Sequence, residues 1–351
     1  MKKISVTAAL FSSAILVIGI VTAAAFPPVT SYHLIKKIPL AAAPGGGEYF
    51  DYITVDAPAR RVYLSHGTEV VVLDADNFSV VGKIAGLKKC HGVAVVPAYG
   101  KGFITDGDAE TVVVFDMKSL KVTGQIKSFP DTDSIVYDPA SKLIFTFNGD
   151  SKNSTVIDPA KETVVKTIDL QGAPEQPVAD GRGMIYDNNQ ERNDVTAIDT
   201  HALTIKARWP VAPAGAPVAM DMDRKNRRIY SSGRAPKLLA VIDADNGKVV
   251  QTLPISGGAD ANVFDSGTNM IFVSTRDGKI HVFHEDSPNK LTEVQTIDSE
   301  YGAKTMAMDP KTHNLFLTTA DFGATPPPTK EQPRPNPAAI PGTFRVLIYG
   351  R

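Results

Sequence analysis

The stretch Val112-Val113-Val114-Phe115-Asp116, followed after a short turn by Lys121 to Ile126, decides the fold because it recurs along the whole chain. Its copies are Val70-Val71-Val72-Leu73-Asp74 before Ser79 to Ile84, and Thr155-Val156-Ile157-Asp158 before Thr163 to Ile168. They continue with Val195-Thr196-Ala197-Ile198-Asp199 before Thr204 to Trp209, and Ala240-Val241-Ile242-Asp243 before Lys248 to Leu253. The acids step by 42, 42, 41 and 44 positions. An alternating strand, a polar turn and a second alternating strand make half of a four-strand unit, and such a unit cannot bury its own faces. It must stack on copies of itself, which is the pattern of a β-propeller.

A sixth copy, His281-Val282-Phe283-His284 before Thr292 to Ile297, puts His284 where the others have an acid, so its turn is expected to differ. A seventh, Thr343 to Tyr349, has no partner strand after it because the chain ends at Arg351. Tyr32 to Ile38 has the character of the missing outer strand. The expected fold class is therefore all-β: a seven-bladed propeller whose last blade is closed by the N-terminal strand, which seals the ring without a free edge.

Charged residues are 21% of the chain, the formal charge is -1 and the pI is about 6.7. No basic field exists to gather a phosphate backbone, so nucleic acid is not an expected partner. Met1-Lys2-Lys3, the apolar run Ile4 to Val21 and Ala23-Ala24-Ala25 read as a secretory signal over residues 1–25, with an uncleaved membrane anchor as the alternative. Residues 26–351 would then form one propeller domain, periplasmic or extracellular, with no membrane span after signal removal. Cys90 is the single cysteine, so no intramolecular disulfide can form. Its neighbour His91 suggests a dyad, but adjacent strand residues face opposite ways, and Cys90 is expected to be a packed residue. Gly45 to Gly47 precede no helix and are not a phosphate loop. His201 and His313 fall in turns and are expected to be solvated.

The segments Arg61-Val62-Tyr63-Leu64-Ser65, Asp138-Pro139-Ala140-Ser141-Lys142 and Val241 to Val250 resemble the exported YncE-like, YVTN-repeat propellers of bacteria, over roughly Tyr32 to Arg351. The resemblance implies an extracytoplasmic seven-bladed propeller and assigns no reaction.

Superposing the repeats on their innermost strands gives one equivalent position per blade: Asp51, His91, Asp133, Glu175, Val218, Asp260 and Lys304. All should face the axis at one mouth of the channel, with a charge of about -3 when His91 is neutral. Carboxylates that close raise one another's pKa unless a cation relieves them. An ion held by Asp51, Glu175 and Asp260 is one expectation: Ca²⁺ or Mg²⁺, or with His91 added, Mn²⁺ or Zn²⁺. Loops on the same face add His66, Asn148, Arg276 and Asp321 as ligand contacts. The Pro-rich insertion Phe322 to Pro341 reads as a lid or a disordered excursion. Two functions follow. One is a binding module for a small molecule, peptide or protein partner at the mouth. The other is a divalent-metal-dependent lyase or hydrolase, lactonase-like, with His91 as general acid/base and Lys304 stabilising a developing anion.

Overall fold

A computed structural model describes residues 1–2, 31–45, 48–330 and 335–351. The expected signal segment and the centre of the glycine run lie outside the described residues. Among the described residues no helix is long and apolar enough to cross a membrane.

Residues 31–351 form seven four-stranded antiparallel sheets, each pairing its strands in order from the channel outward. Blade 1 comprises Phe50–Asp56, Arg61–His66, Glu69–Asp74 and Val80–Ala85. Blades 2 to 6 begin with Cys90–Val96, Thr132–Asp138, Pro174–Ala179, Pro217–Asp223 and Ala259–Asp265. Blade 7 takes Met306–Met308, Leu315–Thr319 and Arg345–Gly350 from the C-terminal end, and His33–Pro39 is its outer strand. His33 pairs with Gly350 and Lys37 with Leu347, so the ring closes as the sequence predicts.

The recurring acid has a local cause. Asp74, Asp116, Asp158, Asp199 and Asp243 each accept the backbone N–H two or three residues on, at 2.7–3.0 Å, which closes the turn to the outer strand. Blade 6 lacks that acid. Its outer hairpin grows to Lys279–Ser287 and Lys290–Asp298, with a bulge between Glu285 and Ser287, and Asp286 takes over by accepting from Thr292 at 2.7 Å.

Between the blades sits one aromatic per repeat: Tyr63, Phe103, Phe145, Tyr186, Tyr230, Phe272 and Phe316, all fully buried on the second strands. Each buries roughly 150–250 Å² and is the largest apolar contribution to its joint. Hydroxyls then tie neighbouring inner strands: Thr54 donates to the Val93 carbonyl at 2.7 Å, Ser134 to that of Glu175 at 2.6 Å, and Thr305 to that of Asp51 at 2.8 Å. The backbone at the mouth is thereby fixed from the adjacent blade.

Candidate functional site

Six of the seven predicted axial residues fall in one structural device. The pairing of the first and second strands slips at the mouth end of blades 1 to 6, between Phe50 and Ile53, Cys90 and Val93, Thr132 and Ser134, Pro174 and Pro177, Pro217 and Ala219, and Ala259 and Ala261. Asp51, His91, Asp133, Glu175, Val218 and Asp260 lie inside these slips, joined by Tyr52, Gly92 and Gln176 in blades 1, 2 and 4. A bulge re-aims the extra side chain away from the regular pleat, here toward the channel.

The mouth divides into two ionic groups. In the first, His91 Nδ1 lies 2.9 Å from Asp51 Oδ2 and 2.8 Å from Asp133 Oδ1. Tyr49 donates its hydroxyl to Asp51 at 2.7 Å and also sits 2.8 Å from the imidazole. Burial works against the imidazolium, but the bonds to Asp133 and Asp51 outweigh it and push His91 up to about 10. Burial likewise opposes ionisation of Asp51, yet Lys304 and His91 hold its pKa well below the ordinary range. Asp133, dominated by burial, is raised. In the second group Lys304 Nζ contacts Asp260 at 2.5 Å and Asp51 at 3.6 Å, and the Arg234 guanidinium grips the other Asp260 oxygen. Burial opposes the charge on both cations, and Asp260 restores it.

Glu175 stands between the groups with no ion pair among the described residues. Burial pushes its carboxyl up to about 8, reinforced by Asp133 and Asp260 and only partly offset by Arg234. The carboxyls of Asp51, Asp133 and Asp260 thus meet the cations His91, Lys304 and Arg234, while Glu175 keeps its proton to about 8. The mouth is therefore less negative than the -3 expected from the sequence, because Arg234 is added, His91 is charged and Glu175 holds its proton.

This pairing corrects the expected ion-holding trio. Asp260 is taken by Lys304 and Arg234, and Glu175 stands apart. Among the described residues, the ligand atoms within 4.8 Å of one another belong to Asp51, His91 and Asp133. Two expected ligand contacts are internal. His66 is fully buried, held by Glu48 and stacked on Phe344 at 3.9 Å. Asn148, also fully buried, donates to Asn153 at 2.6 Å and Thr155 at 3.0 Å. Asp321 lies on the rim and pairs with Arg345 at 2.9 Å. Cys90 is packed as expected, its thiol donating to the Glu69 carbonyl and pushed up to about 12 by burial. His313, by contrast, is not merely solvated: its Nδ1 is 2.7 Å from Asp265.

Arg276 remains. It makes no ion pair among the described residues, and it faces a cavity of about 280 Å³ beside Lys304. The walls are Tyr49, Phe50, Tyr301 and Phe322, with Asn336 to Ala339 from the insertion. The base of that insertion is ordered against the blade. Phe322 bridges to Ala339, packs edge-on against Tyr301 at 5.1 Å, and Gly342 donates its N–H to Glu48 at 2.8 Å.

Sequence reasoning missed Tyr49, Tyr301 and Arg234. Arg234 was within reach, because it occupies in blade 5 the repeat position that Arg276 occupies in blade 6, where blades 1 to 3 have Gly67, Gly107 and Gly149. It supplies the charge that Val218 withholds from that sector.

No family model matches the chain, and no curated protein matches it in sequence. Solved structures do match in shape. A chain of the Kuenenia stuttgartiensis hydrazine synthase superposes with TM-score 0.68 at 13% identity, covering 76% of this chain and 91% of that one. U3-55K gives 0.71 at 8% identity over 88% and 98%. A chain of the mitotic checkpoint complex gives 0.72 at 12% over 93% and 94%. At these identities the likeness carries the propeller fold alone.

Proposed function

We propose that the protein is a binding propeller that takes a small organic anion, or the carboxylate end of a peptide, in the cavity between the mouth and the insertion. The observation that carries this reading is the unpaired Arg276 guanidinium beside Lys304 in a pocket walled by four aromatic rings. A guanidinium without a partner prefers a carboxylate, which it can grip through two parallel N–H bonds, while the rings shelter an apolar body. Propellers are common scaffolds for partners, and a mouth whose acids are met by His91, Lys304 and Arg234, with a further cation at its rim, favours anions over metal ions. The exported, YVTN-type setting rests on the sequence of residues 1–25 and on the repeat resemblance.

The test is a thermal-shift and calorimetric screen with aromatic and aliphatic carboxylates and with short peptides bearing a free or amidated C-terminus. Aromatic acids are expected to bind, Arg276→Ala to abolish binding and amidation to weaken it. Binding that ignores both changes would remove the reading.

One observation favours the metal-dependent lyase or hydrolase instead, namely the convergence of Asp51, His91 and Asp133. There the ion would supply Lewis-acid polarisation of a substrate oxygen. An ion must first displace the proton that His91 holds to about 10, which sets this reading second. A divalent-ion melting shift that Asp133→Asn abolishes would reverse the order.

A further inference from the structure

On the face opposite the mouth, the turn between the first and second strands carries a buried acid in every blade but the second, and in three cases the next blade supplies a nitrogen donor to it. Asp309 of blade 7 holds Arg60 of blade 1 through two bonds of 2.7 and 2.6 Å. Asp180 of blade 4 takes Arg227 of blade 5 at 3.2 Å, and Asp265 of blade 6 takes His313 of blade 7 at 2.7 Å. The three partners occupy one repeat position, each in the left-handed conformation with φ of +56°, +54° and +61°.

At the joint from blade 5 to blade 6 that position is Asn269, with the same φ of +55° but no charge. The acid there, Asp223, is instead joined by a second acid. Glu285 reaches it from the nine-residue hairpin strand peculiar to blade 6. Asp223 is 3% exposed and Glu285 6%. One carboxylate oxygen of each, Asp223 Oδ2 and Glu285 Oε2, is fully buried without a hydrogen-bond partner among the described residues. Both residues line a cavity of about 250 Å³ that Asn226 and Asn269 also line. Burial and then Asp223 raise the Glu285 pKa, against the Tyr230 hydroxyl and the Asn226 amide, so what faces the pair is polar but carries no paired positive charge. Asp286 at the edge is already satisfied by His284, Lys290 and Thr292. The joints after blades 1 and 3 also lack the cation, Gly100 and Gly183 standing near its place, but no extended hairpin brings a second acid to them.

We propose that this joint is a divalent-cation site for a hard, oxygen-preferring ion of the Ca²⁺ class, held by Asp223 and Glu285 with the amide oxygen of Asn269 and, once its amide turns over from donating to Glu285, that of Asn226. The cavity lining contains no sulfur and no imidazole, and apart from the exposed Lys225 its charged and hydroxyl groups are oxygen donors, as such ions require. An ion here would do for blades 5 and 6 what Arg60 and Arg227 do at their joints. The site is separate from the mouth.

The probe is Ca²⁺ alone, titrated into the full chain by calorimetry and followed by melting temperature. Tb³⁺ provides a local readout, since Tyr230 lies against Glu285 and can sensitise its luminescence. One bound ion per chain and a raised melting temperature are expected. Glu285→Gln should weaken Ca²⁺ at least about tenfold by removing one of two anionic ligands. Asn269→Arg is the sharper test, because arginine already adopts this φ at Arg60 and Arg227. It should stabilise the ion-free protein and abolish the Ca²⁺ response together. The proposal is overturned if the parent shows no Ca²⁺ response, or if the response survives both substitutions and disappears with Asp133→Asn. It is equally overturned if Lys225→Ala lowers the ion-free melting temperature while Ca²⁺ leaves the parent unmoved, since the exposed Lys225 ammonium would then be the neutralising charge.

Discussion

Replacing Asp260 with Asn keeps the side-chain volume and deletes one charge. From the sequence, where four carboxylates share a mouth with only Lys304, this change should relieve repulsion and stabilise the protein. The structure reverses the sign. Asp260 is the shared anion of two cations, with Lys304 Nζ at 2.5 Å and the Arg234 guanidinium on its other oxygen. Without it Lys304 keeps only the longer 3.6 Å contact to Asp51, and Arg234 faces a protonated Glu175. Stranding a buried charge by removing its partner costs about 3–5 kcal/mol. Here the Arg234 side chain is 36% exposed and that of Lys304 19%, so water screens part of the loss. A cost of about 2–3 kcal/mol is then expected. With an unfolding entropy of about 2.1 cal/mol/K per residue over residues 31–351, each kcal/mol lowers the melting temperature by about 1.5 °C. The expected drop is thus about 3–5 °C, measured by calorimetry at neutral pH and low salt. Adding Lys304→Gln to the first substitution should cost less than the two single effects summed. An Asp260→Asn protein that melts at or above the parent temperature would refute the pairing. The same variant speaks to function, since the mouth gains positive charge: affinity for an anionic ligand there should hold or rise, whereas that for a cation at the mouth should fall.

Stability should fall as pH rises from slightly acid to alkaline. The folded state keeps the Glu175 proton from the ordinary 4.5 up to about 8, and keeps that of His91 from 6.5 up to about 10, so in each window it binds more protons than the unfolded chain. Urea midpoints between pH 5 and 10 should therefore decline, Glu175→Gln flattening the neutral limb and His91→Asn the alkaline one. A midpoint constant across that range would disprove both shifts. Deleting residues 32–40 removes the outer strand of blade 7 together with the buried Tyr32, and should cause aggregation or a large loss of melting temperature relative to a chain starting at residue 26. Replacing residues 324–337 by a short Gly-Ser loop keeps the Phe322–Ala339 bridge, so melting should scarcely change while affinity at the cavity falls. Unchanged affinity for a carboxylate that needs Arg276 would reduce the insertion to a connecting loop.

The fold was legible because a four-strand unit states its own rule seven times. The Asp closing the third strand in blades 1 to 5 and the unpaired strand at each terminus carry the same instruction, and they agree with the pairing observed. The axial positions were legible for the same reason, since an inward bulge recurs at a fixed place in blades 1 to 6. Their chemistry was not. Equivalent positions tell which side chains share a mouth but not which neighbours pair, and pairing is decided by distances of one or two ångströms. His91 settles on Asp51 and Asp133, Lys304 on Asp260, and Arg234 enters from a strand the axial alignment never sampled. His66 and Asn148 are the last paired residues of their second strands, not loop residues, and their side chains turn inward to Glu48 and Thr155.

The departures from the repeat then carry the functional information. A side chain that all blades share is explained by stacking, as Tyr63 and its six counterparts are. Arg276 has one counterpart, and that counterpart is consumed by Asp260, which leaves Arg276 as the cation at the cavity that the fold does not need for itself. Glu285 exists because blade 6 lost the acid at His284 and lengthened its hairpin, and it lands on the one turn acid whose neighbouring blade offers Asn269 in place of a cation. Both features are charges that the structure of this chain leaves unanswered, of opposite sign and on opposite faces of the ring. A free guanidinium framed by rings calls for an organic acid, and two bare carboxylate oxygens among amides call for a hard cation.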